Sequence, residues 1–169
     1  MATIRKRRWH DVLAWAALAA LILTTAAHLL TRPPTMPDYA AVRADWKSSE
    51  AWLYDRDGVL LDSERINFQR RRLAWVPLKD ISPAVRDTVV AAEDHRFWSH
   101  GGVDWLAIAS AMRTRLTMGG TGGHSRGAST LPMQLAAFLA PELAQPGQRG
   151  WFAKIRQMRA AQVLASNWT

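Results

Sequence analysis

Residues 89–105 read VVAAEDHRFWSHGGVDW, so Glu93 and Asp94 are followed at short spacing by Phe97, His100, Gly102 and Asp104. Carboxylates and imidazoles are the side chains most often used to move protons or to hold metal ions. Metal binding is the weaker of the two here, because Asp94, His95 and His100 crowd one loop and the chain has no cysteine. A Glu-Asp pair at a helix end is by itself usually solvated surface, and only its neighbours single out Glu93 as a candidate base. Downstream, Ser129 and Thr130 follow a glycine-rich run at the start of an expected helix. There they can donate hydrogen bonds to an anionic oxygen or cap the helix, and the two roles are compatible. Lys154 and Arg156 would add positive charge, or form an ordinary exposed helix face.

Those groups need elements to hold them. Ser82 is a good N-cap and Pro83 suits the first helical position, while Val85, Val89 and Ala92 fall on one face. That helix carries Glu93 near its end. Gly101-Gly102 marks a turn, Val103 to Leu116 reads as a second helix, and Gly119 to Ala128, with five glycines in ten residues, reads as a mobile loop. Apolar positions return at helical spacing from Ser129 to Leu139, and Lys154 to Leu164 forms a further amphipathic helix. Ahead of this helical region, Asp57-Gly58 between Trp52-Leu53-Tyr54 and Val59-Leu60-Leu61 predicts a tight hairpin. The run Arg70-Arg71-Arg72 reads as a solvated edge that discourages strand association. No internal repeat is visible.

The N-terminus sets the compartment. Arg5, Lys6, Arg7 and Arg8 precede VLAWAALAALILTTAAHLL, Val12 to Leu30, whose only titratable residue is His28. At helical rise these residues span about 28 Å, close to the roughly 30 Å hydrocarbon core. The length favours an uncleaved anchor over a secretory signal. The basic cluster should stay on the cytoplasmic side, sending everything after Leu30 across the membrane. The organisation expected is a basic tail over residues 1–11, a transmembrane anchor over 12–30, a proline-rich stalk over 31–50, and one domain over 51–169. With 169 residues there is room for one soluble domain plus attachments. Lys and Arg number 22 against 14 Asp and Glu, which favours anionic partners, phosphates and anionic lipids among them. Nucleic acid is not expected, since much of this charge flanks the apolar segment and no nucleic-acid motif occurs.

The stretch from Glu93 to Asp104 resembles the first signature of the peptidoglycan glycosyltransferases, family 51. That signature has a Glu-Asp pair, an aromatic three residues on, a His three further, then Gly and Val-Asp. The second signature is similar to Gly127-Ala128-Ser129-Thr130-Leu131-Pro132-Met133-Gln134-Leu135, with Ala128 in place of a glycine. The third is similar to Lys154-Ile155-Arg156-Gln157-Met158-Arg159-Ala160-Ala161. Within the family, Tyr54-Asp55-Arg56-Asp57-Gly58 and Lys154-Ile155-Arg156-Gln157 look most like the N-terminal part of a C-type class A penicillin-binding protein.

The resemblance implies a mainly α, lysozyme-like domain, here partial, behind an N-terminal transmembrane helix and a short β-hairpin region. It implies transfer of a sugar from undecaprenyl diphosphate to the 4-hydroxyl of an acceptor, with inversion, polymerising lipid II into glycan strands. Glu93 would be the catalytic base; Asp94, His100, Ser129, Thr130, Gln134, Lys154 and Arg156 would serve substrate binding, with Arg126 as an addition. Phe97 would pack into the core. No protein-held metal and no organic cofactor is expected; Mg2+ or another divalent cation would arrive with the substrate diphosphate. The implied partners are lipid II, the growing strand, the bacterial inner membrane and other cell-wall synthesis proteins, with the domain periplasmic.

Three departures from the family pattern stand out. Gln157 occupies a place where most members have a second glutamate, and Ala137 one where a basic residue is frequent. The chain stops at Ser166-Asn167-Trp168-Thr169, where further helices are expected, and no Ser-x-x-Lys of a penicillin-reactive serine occurs. These support a second reading, a catalytically inactive, truncated membrane-anchored module that binds lipid-linked precursor or cell-wall synthesis partners. A glycan hydrolase is a third possibility, disfavoured because the signatures match transferases.

Overall fold

The computed structural model describes residues 2–69, 71–117, 128–143 and 150–168. Most of the glycine-rich run, together with Arg126, lies outside these. Among the described residues six α-helices and one hairpin occur in the order α1 (Ala2–Leu30), α2 (Tyr39–Ala44), β1 (Glu50–Tyr54), β2 (Leu60–Arg65), α3 (Pro83–Glu93), α4 (Trp105–Thr117), α5 (Leu131–Leu139) and α6 (Trp151–Asn167). The architecture is mainly helical with an apolar N-terminal helix and a two-stranded hairpin, as the sequence predicts.

From Val12 onward α1 is almost wholly apolar. Its stretch Trp9–Leu30 is long and apolar enough to cross a membrane, with a mean hydropathy of 1.9, and none of it is buried against the rest of the chain. Thr24 returns its hydroxyl to the Ala20 carbonyl at 2.8 Å, so the helix carries no unpaired polar group there.

The hairpin pairs Glu50 with Arg65 through Leu53 with Asp62, and a register shift follows between Leu53 and Tyr54. Asp55 builds the turn, its Oδ1 accepting from the backbone of Asp57 at 2.9 Å and Val59 at 2.8 Å. Gly58 has φ +79°, a left-handed conformation that favours glycine.

The core sits between α5 and α6. Met36, Ala136, Ala140, Leu143, Ala160 and Leu164 form one buried cluster, and Val103, Met133 and Ala161 a second. Small residues on both helices let them approach closely, and Gly102 fits the remaining gap. At φ +93° it lies so near α6 that an added Cβ would stand 2.5 Å from the Ala161 carbonyl oxygen.

The segment 31–50 contributes to this packing. Met36 enters the core, and Trp168 donates to the Pro37 carbonyl at 3.0 Å. Tyr39 and Trp46 both meet Trp75 edge-on. The sequence offered no signal for α2, which Asp38 caps by accepting from the Ala41 amide at 2.7 Å.

Several local expectations change. Ser82 stands at the head of α3 but its side chain caps nothing; the helix starts through its carbonyl, which accepts from Val85 and Arg86. No residue of α3 is buried, so Val85 and Val89 share a face that stays exposed. α4 begins two residues later than predicted because Asp104 takes the cap, accepting from Ala107 at 2.8 Å. Phe97 is half-buried and set edge-on to Trp98, not in either core cluster. Arg72 is no solvated edge: its guanidinium lies over Trp46 at 4.8 Å and Phe138 at 5.5 Å.

Candidate active site

A cleft of about 430 Å³ opens where the end of α3, one face of α4 and the start of α5 meet. Glu93, His95, Arg96, Ser110, Thr114 and Ser129 are among its lining residues. The α4 wall is built of small side chains, Ala107, Ser110, Ala111 and Thr114, at helical spacing, which leaves the space open.

Glu93 ends α3 and is exposed. Gln134, one turn into α5, donates through Nε2 to its Oε2 at 3.0 Å. This bond orients the carboxylate on the cleft wall. Gln134, expected among the substrate contacts, is here a support for Glu93.

Asp94 and His100 turn inward. Asp94 Oδ1 pairs with His100 Nε2 at 2.9 Å, and Oδ2 accepts from the Leu131 backbone N–H at 2.9 Å. Their side chains are only 3% and 5% exposed, so they latch the loop onto the start of α5, with Asp94 at the floor of the cleft and His100 behind it. His100 Nδ1 is buried without a hydrogen-bond partner among the described residues. Asp104 is held by Arg96, whose Nε and Nη2 reach its two oxygens at 2.8 and 2.5 Å. These hydrogen bonds hold the Asp104 carboxyl below the usual range and raise the Arg96 guanidinium above its own. Arg96 is a site residue that the sequence reading passed over, and no spacing signal marks it.

Thr130 caps α5, accepting from Met133 N–H at 3.4 Å, and donates its hydroxyl to the Gly102 carbonyl at 2.6 Å. It is buried, so the donation expected toward a ligand goes into the fold. Ser129 remains available: it lines the cleft and its Oγ accepts from Lys154 Nζ at 2.7 Å. Lys154 also donates to Gln157 Oε1 at 3.1 Å. Burial lowers the Lys154 pKa from the ordinary lysine value.

Arg156 is not brought to the cleft; its Nε donates to the Arg32 carbonyl at 3.2 Å, beyond the end of α1. Ala137 packs against the core, which explains a small residue there. Among the described residues no group of three or more His, Asp or Glu side chains is placed to hold a metal ion. Asp94 is taken up by His100, and Asp104 by Arg96.

A mainly helical domain with an oriented helix-end carboxylate and a lysine-bound serine on one cleft has the parts of a group-transfer site. The family described as Transglycosylase matches residues 59–169. The chain belongs to the transglycosylase family, the peptidoglycan glycosyltransferases. It is 41% identical over 96 residues to the biosynthetic peptidoglycan transglycosylase of Rhodospirillum centenum, a match covering 56% of this chain and 37% of that protein. Against the proteins of the same name from Pseudomonas fluorescens and Shewanella amazonensis the identities are 31% over 150 residues and 34% over 157, covering 86% and 87% of this chain. The matches span 54% and 55% of those proteins, so the chain covers about half the length of these relatives. No solved structure matches at a significant level.

Proposed function

We propose that the chain is a membrane-anchored peptidoglycan glycosyltransferase that extends glycan strands from lipid II, releasing undecaprenyl diphosphate with inversion at the anomeric carbon. The observation that carries this is Glu93, held by Gln134 on a cleft that Ser129 also lines, with Lys154 hydrogen-bonded to that serine. A hydroxyl is a weak nucleophile at neutral pH, and a carboxylate against it removes the proton as the new bond forms, worth roughly 10²–10⁴-fold. Glu93 has this role. The departing diphosphate gains negative charge, which Lys154 and the Ser129 hydroxyl stabilise. Asp94, His100 and Thr130 keep the loop and α5 in register. A divalent cation such as Mg2+ enters with the diphosphate.

On this reading α1 crosses the bacterial inner membrane with Arg5 to Arg8 on the cytoplasmic side and the domain outside. The relatives' names favour a biosynthetic peptidoglycan transglycosylase over the N-terminal part of a class A penicillin-binding protein; the Tyr54 to Gly58 phrase is what speaks for the latter.

The test is polymerisation of labelled lipid II by the detergent-solubilised chain, read as a glycan ladder on a gel. Wild type should give polymer and Glu93→Gln at least 100-fold less, on the order of a lost general base. A second reading, the inactive precursor-binding module, draws on Gln157, which cannot carry charge. It predicts lipid II binding without polymer from either chain.

A further inference from the structure

We propose that Gln157 is a positioning residue, whose uncharged amide holds the Lys154 ammonium against Ser129 while leaving its charge free for an anionic leaving group. The inference rests on the function proposed above and deepens it. Gln157 makes two bonds of opposite sense: Oε1 accepts from Lys154 Nζ at 3.1 Å, and Nε2 donates to the Met133 carbonyl at 2.8 Å. Met133 is fully buried on α5, so the amide ties α6 to the core while it steers the lysine. The amide has one workable orientation. Reversed, it would set NH2 against an ammonium and oxygen against a carbonyl oxygen.

A glutamate in this position would accept from Lys154 but have no proton for Met133. It would also neutralise the lysine. Among the described residues no carboxylate lies within ion-pair distance of Lys154. Among the described residues two of the ammonium's three N–H donors are engaged, by Ser129 and Gln157, which leaves the third for a ligand. Burial already disfavours the charged lysine, and a bound phosphate oxygen would relieve that cost. The chemistry selected is a phosphate ester or diphosphate, with Ser129 as its second contact.

The experiment uses the full chain in detergent as wild type, Gln157→Glu and Gln157→Met. Affinity for geranylgeranyl diphosphate is measured across pH. In parallel, Lys154 is titrated through its 13Cε and 15Nζ shifts, which are assignable because the chain has only four lysines. In the Gln157→Glu chain the Lys154 midpoint should rise, the alkaline limb of binding should move to higher pH, and affinity at neutral pH should fall about ten-fold. Gln157→Met should weaken binding without raising the midpoint. An unchanged Lys154 midpoint in Gln157→Glu, or wild-type affinity for the diphosphate in that variant, overturns the inference. Should the wild type bind no diphosphate at any pH, the proposed function and the ligand assigned here both fail, while a raised midpoint in Gln157→Glu would still establish the pairing.

Discussion

Both carboxylate oxygens of Asp94 accept hydrogen bonds from inside the protein, one from His100 and one from Leu131. Asparagine offers a single acceptor oxygen, so Asp94→Asn must set its NH2 against one of those two donors. The expected loss is about 1–3 kcal/mol of stability, measured by denaturant unfolding. Asp104 yields a pH prediction. Its folded pKa is depressed by Arg96, so the stabilisation is fully present above the pKa of an unfolded aspartate and is lost as pH falls through the lower folded value. Thermal unfolding should therefore show an acid limb below about pH 4 that flattens in Asp104→Asn. At this scale the sequence is informative about which residues gather: Glu93 lines the cleft and Lys154 reaches its Ser129. It is uninformative about direction. Nothing in the spacing says that Thr130 donates to a carbonyl 28 positions away, or that Gln134 reaches across to Glu93.

Elements were more legible than their packing. Helices α3, α5 and α6 lie where apolar spacing puts them, since periodicity and starts such as Pro83 are local signals. The missed α2 is only six residues long, too short for periodicity to register. Which faces become buried depends on partners distant in sequence, which explains the exposed Val85 and Val89 and the stacked Arg72. The two left-handed glycines among the described residues separate these effects. Gly58 has open space around its missing Cβ, so Gly58→Ala should cost only the backbone term, about 1–2 kcal/mol. Gly102 adds a collision with the α6 backbone, and Gly102→Ala should cost about 2–5 kcal/mol. Equal losses in chemical denaturation would mean that Gly102 does not fix the distance between its loop and α6.

For the molecule as a whole, the decisive contact joins the apolar helix to the domain. Arg159 on α6 donates to the His28 carbonyl at 2.9 Å and to Thr31 Oγ1 at 2.7 Å, at the negative end of the α1 dipole. Arg156 adds its bond to Arg32. Arg159 and Lys154 are five residues apart on α6, a rise of about 7.5 Å. On the proposed topology this holds the cleft within about two helical turns of the point where the chain leaves the bilayer, at a height suited to a diphosphate on a membrane-embedded lipid. Four alanines inserted between Leu30 and Thr31 would carry His28 away from Arg159 and lift the domain by about 6 Å if helical. Polymerisation of full-length lipid II in vesicles should fall at least ten-fold, while turnover of a short-chain, water-soluble lipid II analogue in detergent should stay near wild type. Equal losses on both substrates would place the damage in the fold of the cleft; no loss on either would show that the domain reaches its substrate without being fixed to α1.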